Sequence, residues 1–160
     1  MKAAVLSIGS LSSKWTAEAM RKYFDEVEEI DVREIEINLG KKDKPILYKN
    51  NPLSDYDCMY VKGSFRYAPL LRSITSLSSP GAYKPIDPSS FTIGHDKLLT
   101  HQVLQEAGIP MPVTYIASTV DAAKKLLQAV NYPIVFKFPQ GTQGKGVMFA
   151  DSVESANSLL

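Results

Sequence analysis

The sequence predicts an α/β protein in two parts: a small parallel-type sheet with helices against it over residues 1–88, then an α+β segment over residues 89–160. Three observations lead there. Apolar runs of strand length alternate with segments of three- and four-residue apolar spacing along the first part. A proline-rich connector, Lys84 to Pro88, follows it. Beyond the connector, two helical segments lead to a strand, a glycine-rich loop and a second strand.

Ala3 to Ile8 is a short apolar run closed by Gly9, as in a buried strand that opens an α/β domain. Ser12 or Ser13 is placed to cap a helix from Lys14 to Val27, with Trp15, Ala19, Met20, Tyr23, Phe24 and Val27 on its apolar face. Ile30 to Ile37 alternates apolar and charged residues and predicts a half-exposed strand. Gly40 to Lys44 reads as a charged turn, Ile46 to Tyr48 as a short apolar element, and Asn50, Asn51 and Pro52 as a further turn. Asp57 to Lys62 predicts a buried strand ended by Gly63 and Ser64, and Tyr67 to Leu77 a helix broken at Ser78 to Gly81.

In the second part, Asp96 to Ala107 predicts a helix with Leu99, Val103 and Leu104 on one face and Gly108 as its stop. Pro110 and Pro112 make a rigid joint before a strand at Val113 to Ala117. Ser118 and Asp121 match a capping box, and Val120, Ala123, Leu126, Leu127 and Val130 supply the next apolar stripe. Strands follow at Pro133 to Phe138 and Val147 to Ala150, joined by the loop Pro139 to Gly146. Asp151 and Glu154 are spaced to cap a last helix, which has run only a turn or two at Leu160, so the second part is expected to be incomplete.

Composition narrows the function classes. The 160 residues are 44% hydrophobic and 22% charged, the balance of an ordinary soluble protein. A net charge of +1 argues against a nucleic-acid partner or an anionic membrane, since either needs a concentrated basic surface. No apolar stretch approaches the ~20 residues that span a bilayer. The N-terminal MKAAVLSIGS lacks a cleavage pattern and reads as a first strand rather than a signal peptide. Cys58 is the single cysteine and cannot form an internal disulfide, which fits a cytoplasmic protein; its apolar surroundings predict a buried, inert thiol.

The chemistry concentrates in Val135-Phe136-Lys137-Phe138-Pro139-Gln140-Gly141-Thr142-Gln143-Gly144-Lys145-Gly146-Val147. A strand presents Lys137, a loop with three glycines follows, and a second strand leaves. Glycines let backbone N–H groups approach an anion unobstructed, and successive N–H groups form an anion-binding concavity. Lys137 and Lys145 add positive charge, and Thr142 and Gln143 add donors, as a polyphosphate requires. A P-loop is excluded: aligned on Gly144 and Lys145, its first glycine falls on Pro139 and its final Ser/Thr on Gly146. A dinucleotide fingerprint is excluded too, because Gly144-Lys145-Gly146 leads into a strand and not a helix. On the residues alone, a glycine-rich hairpin without a ligand stands beside the phosphate reading.

Three pieces, in order, resemble the ATP-grasp superfamily and its RimK-like branch. Ile93-Gly94-His95-Asp96-Lys97 with Leu98, Leu99 and Thr100 is similar to the family's Asp-Lys at the head of a helix. Leu104 to Thr114 (LQEAGIPMPVT) resembles its L-x-x-x-G-I-P-x-P-x-T. Lys137 and the loop Gly141 to Val147 resemble its K-P-x-x-G-S-x-G-x-G-V, with Phe138 as an added residue before Pro139 and Lys145 at a variable position. The resemblance is strong over about residues 90–155 and rests on βα organisation alone before that.

The resemblance implies a pre-ATP-grasp α/β domain at 1–88 and the first, ATP-phosphate-binding subdomain at 89–160. It implies that Lys97 and Lys137 contact the nucleotide phosphates and that Gly141, Thr142, Gln143, Gly144 and Gly146 close over them. Cofactors would be ATP and Mg²⁺. The family's metal ligands lie further along than Leu160, so no metal site is expected in this chain. The reaction implied is ligation of a carboxylate, on a small molecule or a protein, to an amino acid, often glutamate, through an acylphosphate. No general base is identifiable, and the catalytic residues stay unknown. His95 and His101 read as helix residues, and Asp151 and Glu154 as caps. Ser10 to Trp15, the loop after the first strand, is placed to border the acceptor site by the rule that ligands lie at the carboxyl ends of strands. The oligomeric state is left open, a homo-oligomer included. Two other readings remain: a non-catalytic nucleotide-binding or regulatory module complete at 160 residues, and an interaction domain whose loop is only a turn.

Overall fold

The apolar N-terminal run becomes β1 (Lys2–Ser7) in the computed structural model of the chain, with its last five residues buried. The described residues are 1–40, 45–53, 55–140, 144 and 146–160. They divide into two units, Met1–Thr92 and Ile93–Leu160.

In the first unit, β1 is followed by α1 (Leu11–Met20) and β2 (Glu26–Asp31), then by three short strands, β3 (Ile35–Ile37), β4 (Ile46–Tyr48) and β5 (Asn51–Pro52). Next come β6 (Cys58–Val61), α2 (Ala68–Leu77) and the four-residue α3 (Ser90–Ile93). β1 pairs in parallel with β2 on one side and β6 on the other, in the order β2-β1-β6. Tyr83 extends this arrangement beside β6, accepting from Met59 N–H and donating to the Asp57 carbonyl. β3, β4 and β5 form a separate antiparallel sheet. Ala3 to Leu6 are all buried, as expected of a central parallel strand covered on both faces. Leu6, Ile30, Val32, Met59, Val61, Leu71 and Ile74 lie in one apolar cluster. Leu71, fully buried, contributes ~2 kcal/mol by its transfer from water.

The structure corrects several expectations here. The first helix begins at Leu11 and ends at Met20; Ser10, not Ser12 or Ser13, caps it by accepting from Ser13 N–H. Val27 lies in β2, and Trp15, Ala19 and Tyr23 are exposed. The residues α1 buries are Ser13 and Ala17. Six residues of β2 hydrogen-bond along β1, Lys2 to Ser7 facing Glu26 to Asp31, and this ladder overrides the helical spacing that runs to Val27. The strand expected at Ile30 to Ile37 is cut in two. Asp31 accepts from Arg33 N–H and starts a 3₁₀ turn at Val32–Glu34, so β3 joins the other sheet. The turn expected at Asn50 to Pro52 is made by Lys49 and Asn50, both at positive φ, while Asn51 and Pro52 are β5. Of the charged turn at Gly40 to Lys44, residues 41–44 lie outside the described residues. In the connector, Lys84 donates to the carbonyls of Thr75, Ser78 and Ser79 and so caps the end of α2.

The second unit holds α4 (Lys97–Glu106), α5 (Val120–Leu127), β7 (Ile134–Lys137), β8 (Val147–Ala150) and α6 (Val153–Asn157). Leu127, Ala150 and Ala156 form its buried cluster, with Tyr132, Ile134, Phe136 and Leu159 packed against it. Leu99 and Val103 of α4 stay exposed, against expectation. Val113 to Ala117 is not a strand, and Val113 is 82% exposed. A strand needs a neighbour for its N–H and C=O groups, and none pairs with this segment among the described residues. Thr119, not Ser118, caps α5. Serines rather than acids cap α6: Ser152 and Ser155 form a reciprocal capping box, and Asp151 accepts from the Ser155 hydroxyl. Among the described residues no helix is long and apolar enough to cross a membrane.

Candidate functional site

β7 and β8 form an antiparallel hairpin in which Val135 faces Phe149 and Lys137 faces Val147. Residues directly opposite in such a pair share a face, and alternation puts the next residue on the other. One face, with Ile134, Phe136 and Ala150, packs into the core with Leu127 and Ala156. The other presents Lys137 beside Val135, Val147 and Phe149, all exposed.

The hairpin runs one pair past Lys137. Phe138 N–H donates to the Gly146 carbonyl at 3.2 Å. A Cβ at Gly146 would lie 2.2 Å from Cδ2 of Phe138, so the ring occupies the space a side chain would need. Gly146 sits at φ +74° and Gly144 at φ +72°, the left-handed region that favours glycine. Val147 N–H closes the turn onto the Gly144 carbonyl at 3.3 Å. Gly141, Thr142, Gln143 and Lys145 lie outside the described residues.

The start of the loop is tied to α4. Lys97 N–H donates to the Pro139 carbonyl at 2.9 Å, and Asp96 makes an antiparallel bridge to Gln140. Asp96 also caps α4, its carboxylate accepting from Leu98 and Leu99 N–H at 2.9 and 3.2 Å. The Thr100 hydroxyl donates to the carbonyls of Ile93 and Asp96 at 2.7 and 2.8 Å, which braces the turn before the helix. Two pieces of sequence some 40 residues apart, Asp96-Lys97 and Pro139-Gln140, thus meet through their backbones. The positive end of the α4 dipole lies there with them. His101 is engaged within the helix, its Nδ1 2.6 Å from the Lys97 carbonyl.

Of the sequence-derived site residues, Lys97, Lys137, Gly144 and Gly146 are described, and the backbone of Lys97 is joined to the loop that follows Lys137. Two contributors were not assigned a role from the sequence. The sequence places Asp96 at a helix start, within the Asp-Lys pair of the resemblance; the structure adds its bridge to Gln140. Phe138 was seen only as an added residue; its signal was an aromatic placed opposite a glycine across the hairpin.

Among the described residues no group of three or more His, Cys, Asp or Glu is placed to hold a metal ion. Asp151 accepts from the Ser155 hydroxyl, and Glu154 lies in the first turn of α6. Cys58 is buried, and burial pushes its thiol above the usual range, so the reactive thiolate is disfavoured.

Residues 94–160 match the family model described as the RimK-like ATP-grasp domain. Over its full length the chain is 32% identical to a probable alpha-L-glutamate ligase of Vibrio cholerae serotype O1 and 32% identical to one of Methanococcoides burtonii, covering 54% of each. The chain thus spans about half the length of the curated relatives it matches. Among solved structures, it resembles a RimK domain ATP-grasp protein of Sphaerobacter thermophilus, with TM-score 0.71 and 16% identity over 99% of this chain and 57% of that one. It also resembles D-alanyl-alanine synthetase A of Vibrio cholerae, with TM-score 0.64 and 12% identity over 99% of this chain and 54% of that one. These likenesses show the fold. Over residues 94–160 the chain is thus similar to the RimK-like ATP-grasp domain, and its fold is that of ATP-grasp proteins over about half their length.

Proposed function

We propose that this chain carries the phosphate-binding half of an ATP-dependent ligase that joins a carboxylate to an amino acid. The reading is supported above all by the backbone tie between Lys97 and Pro139, which sets the positive end of α4 against the glycine loop. In this reading residues 1–88 precede the ATP-grasp fold and residues 89–160 begin it. Lys97 and Lys137 contact the nucleotide phosphates, and Gly141 to Gly146 supply loop amides to them. Glutamate is the amino acid suggested by the names of the relatives.

The chemistry asked of these residues is positioning and charge neutralisation. A carboxylate oxygen attacks the γ-phosphorus, ADP leaves, and an acylphosphate forms. An amine then attacks the acyl carbon, inorganic phosphate leaves, and an amide remains. The lysines and loop amides hold the phosphates in line and offset their negative charge. Magnesium would supply further charge neutralisation in this chemistry.

ATP should raise the thermal midpoint of the chain, and Lys137→Ala should abolish the rise. At tenfold excess over Kd, binding to the native state alone stabilises by ~1.4 kcal/mol. Equal stabilisation of wild type and Lys137→Ala would remove Lys137 from the site. No stabilisation of wild type would favour an interaction domain whose loop is only a turn. A nucleotide-binding module without turnover is the second reading. It predicts ATP stabilisation with no phosphate release, even from a chain as long as the curated relatives.

A further inference from the structure

The start of α4 is held by a closed set of hydrogen bonds. A helix leaves its first four N–H groups without partners in its own ladder. At α4 each of them has a partner. Asp96 N–H donates to the Ile93 carbonyl at 3.1 Å, and Lys97 N–H to the Pro139 carbonyl at 2.9 Å. Leu98 and Leu99 N–H both donate to one oxygen of the Asp96 carboxylate, at 2.9 and 3.2 Å. These amides are therefore spent within the protein, and the group that takes two of them is itself an anion. What the start of α4 offers a phosphate is the Lys97 side chain and not the helix end.

Asp96 consequently acts on the site through other residues. Its carboxylate fixes the turn into the helix, with Asp96 itself extended at φ −120° and ψ 119°. An extended residue can pair as in a strand, and Asp96 makes an antiparallel bridge to Gln140. The Thr100 hydroxyl holds the Asp96 carbonyl at 2.8 Å and the Ile93 carbonyl at 2.7 Å. Pro139 and Gln140 follow Lys137 closely on the same strand end. The spacing of Lys97 and Lys137 is thus set by a backbone junction, and the side chain that keeps this junction in shape is that of Asp96. Two cations placed for one polyphosphate lose their advantage when their spacing loosens.

We propose that Asp96 is a positioning residue for nucleotide binding. Its carboxylate fixes Lys97 and the Pro139-Gln140 start of the glycine loop relative to each other, and it makes no contact with phosphate itself. This rests on the ligase reading, in which Lys97 and Lys137 contact the nucleotide phosphates.

The test measures the Kd of ATP for the 160-residue chain by calorimetric titration, at a temperature where circular dichroism shows each variant folded. Asn caps helices as well as Asp does. Asp96→Asn should therefore keep the wild-type Kd or tighten it, because the cap stays while a negative charge near the phosphates goes. Asp96→Ala should weaken ATP by about fivefold or more. In a Lys97→Ala background the same change should add less than about twofold, since the residue through which it acts is gone. Unchanged binding by Asp96→Ala overturns the proposal. Tighter binding does so too, since it would make the freed amides of α4 the phosphate site. Equal weakening by Asp96→Asn and Asp96→Ala would overturn it by making the charge, not the cap, the active feature. Full additivity with Lys97→Ala would overturn it as well, being the mark of a structural role. If Asp96→Ala fails to fold, Thr100→Val, which removes the hydroxyl bond to the Asp96 carbonyl, carries the same comparison. A wild type that binds no ATP overturns the ligase reading together with this role. A wild type that binds ATP no more tightly than Asp96→Ala overturns this role alone.

Discussion

At Gly146 two constraints coincide. Its φ of +74° is strained for any residue with a Cβ, and the Phe138 ring fills the place of that Cβ. Gly144 shares the first constraint but not the second, since nothing lies within 4 Å of its Cβ position. Gly144→Ala should therefore cost about 1 kcal/mol, the usual left-handed penalty. Gly146→Ala should cost ~2–3 kcal/mol, because steric overlap adds to it. Adding Phe138→Ala should recover part of the Gly146→Ala loss and none of the Gly144→Ala loss. Urea midpoints of the five proteins decide the matter; equal losses for the two alanine variants would mean that the ring moves aside without cost. Phe138 was legible in the sequence only as an extra residue, because the pairing that sets it over Gly146 spans the loop.

Among the elements, the junction between β2 and β3 shows how a local bond divides a strand. The alternation of Ile30, Val32, Ile35 and Ile37 is real, but Asp31 accepts from Arg33 N–H at 2.9 Å and turns the chain. The Arg33 guanidinium, bonded to the same carboxylate, holds the Asp31 acid below its ordinary range. The pair then contributes stability that is fully present above the unfolded carboxyl pKa, ~3.9, and is lost as pH falls through the lowered native value. Both side chains are partly exposed, so solvent screening keeps the contribution small. Asp31→Asn keeps an acceptor for the turn and removes the charge. Its deficit against wild type should be constant from pH 7 to about 5, shrink as pH falls below ~3.9, and vanish only below the lowered native value. Denaturant unfolding across that range checks the sign; a deficit that grows on acidification would contradict it. The helix of α1 illustrates the opposite failure. Its spacing pointed to Trp15 and Tyr23, while packing on the sheet selected the small residues Ser13 and Ala17. Periodicity locates a helix but not the face chosen when a close approach to a sheet favours small side chains.

For the molecule as a whole, the two units differ in what they bury. Residues 1–92 enclose Leu6, Ile30, Val32, Val61, Leu71 and Ile74, whereas the buried cluster of residues 93–160 is Leu127, Ala150 and Ala156. Opening free energy follows buried apolar contacts. Amide exchange should therefore be slowest in β1 and β6 and markedly faster in β7, β8 and α4. Equal protection in β1 and β7 would contradict this. The sequence by itself determined the strands at either end of the glycine loop, the parallel-type first sheet, and the order of motifs by which residues 94–160 resemble the RimK-like ATP-grasp domain. It could do so because strand period, glycine placement and motif spacing are local properties of a chain. Only the tertiary structure decided where the first helix stops, which of its residues face the sheet, and that Asp96-Lys97 meets Pro139-Gln140. Those outcomes depend on hydrogen bonds and packing between segments distant in sequence, whose free energies outweigh the local preferences of each segment alone.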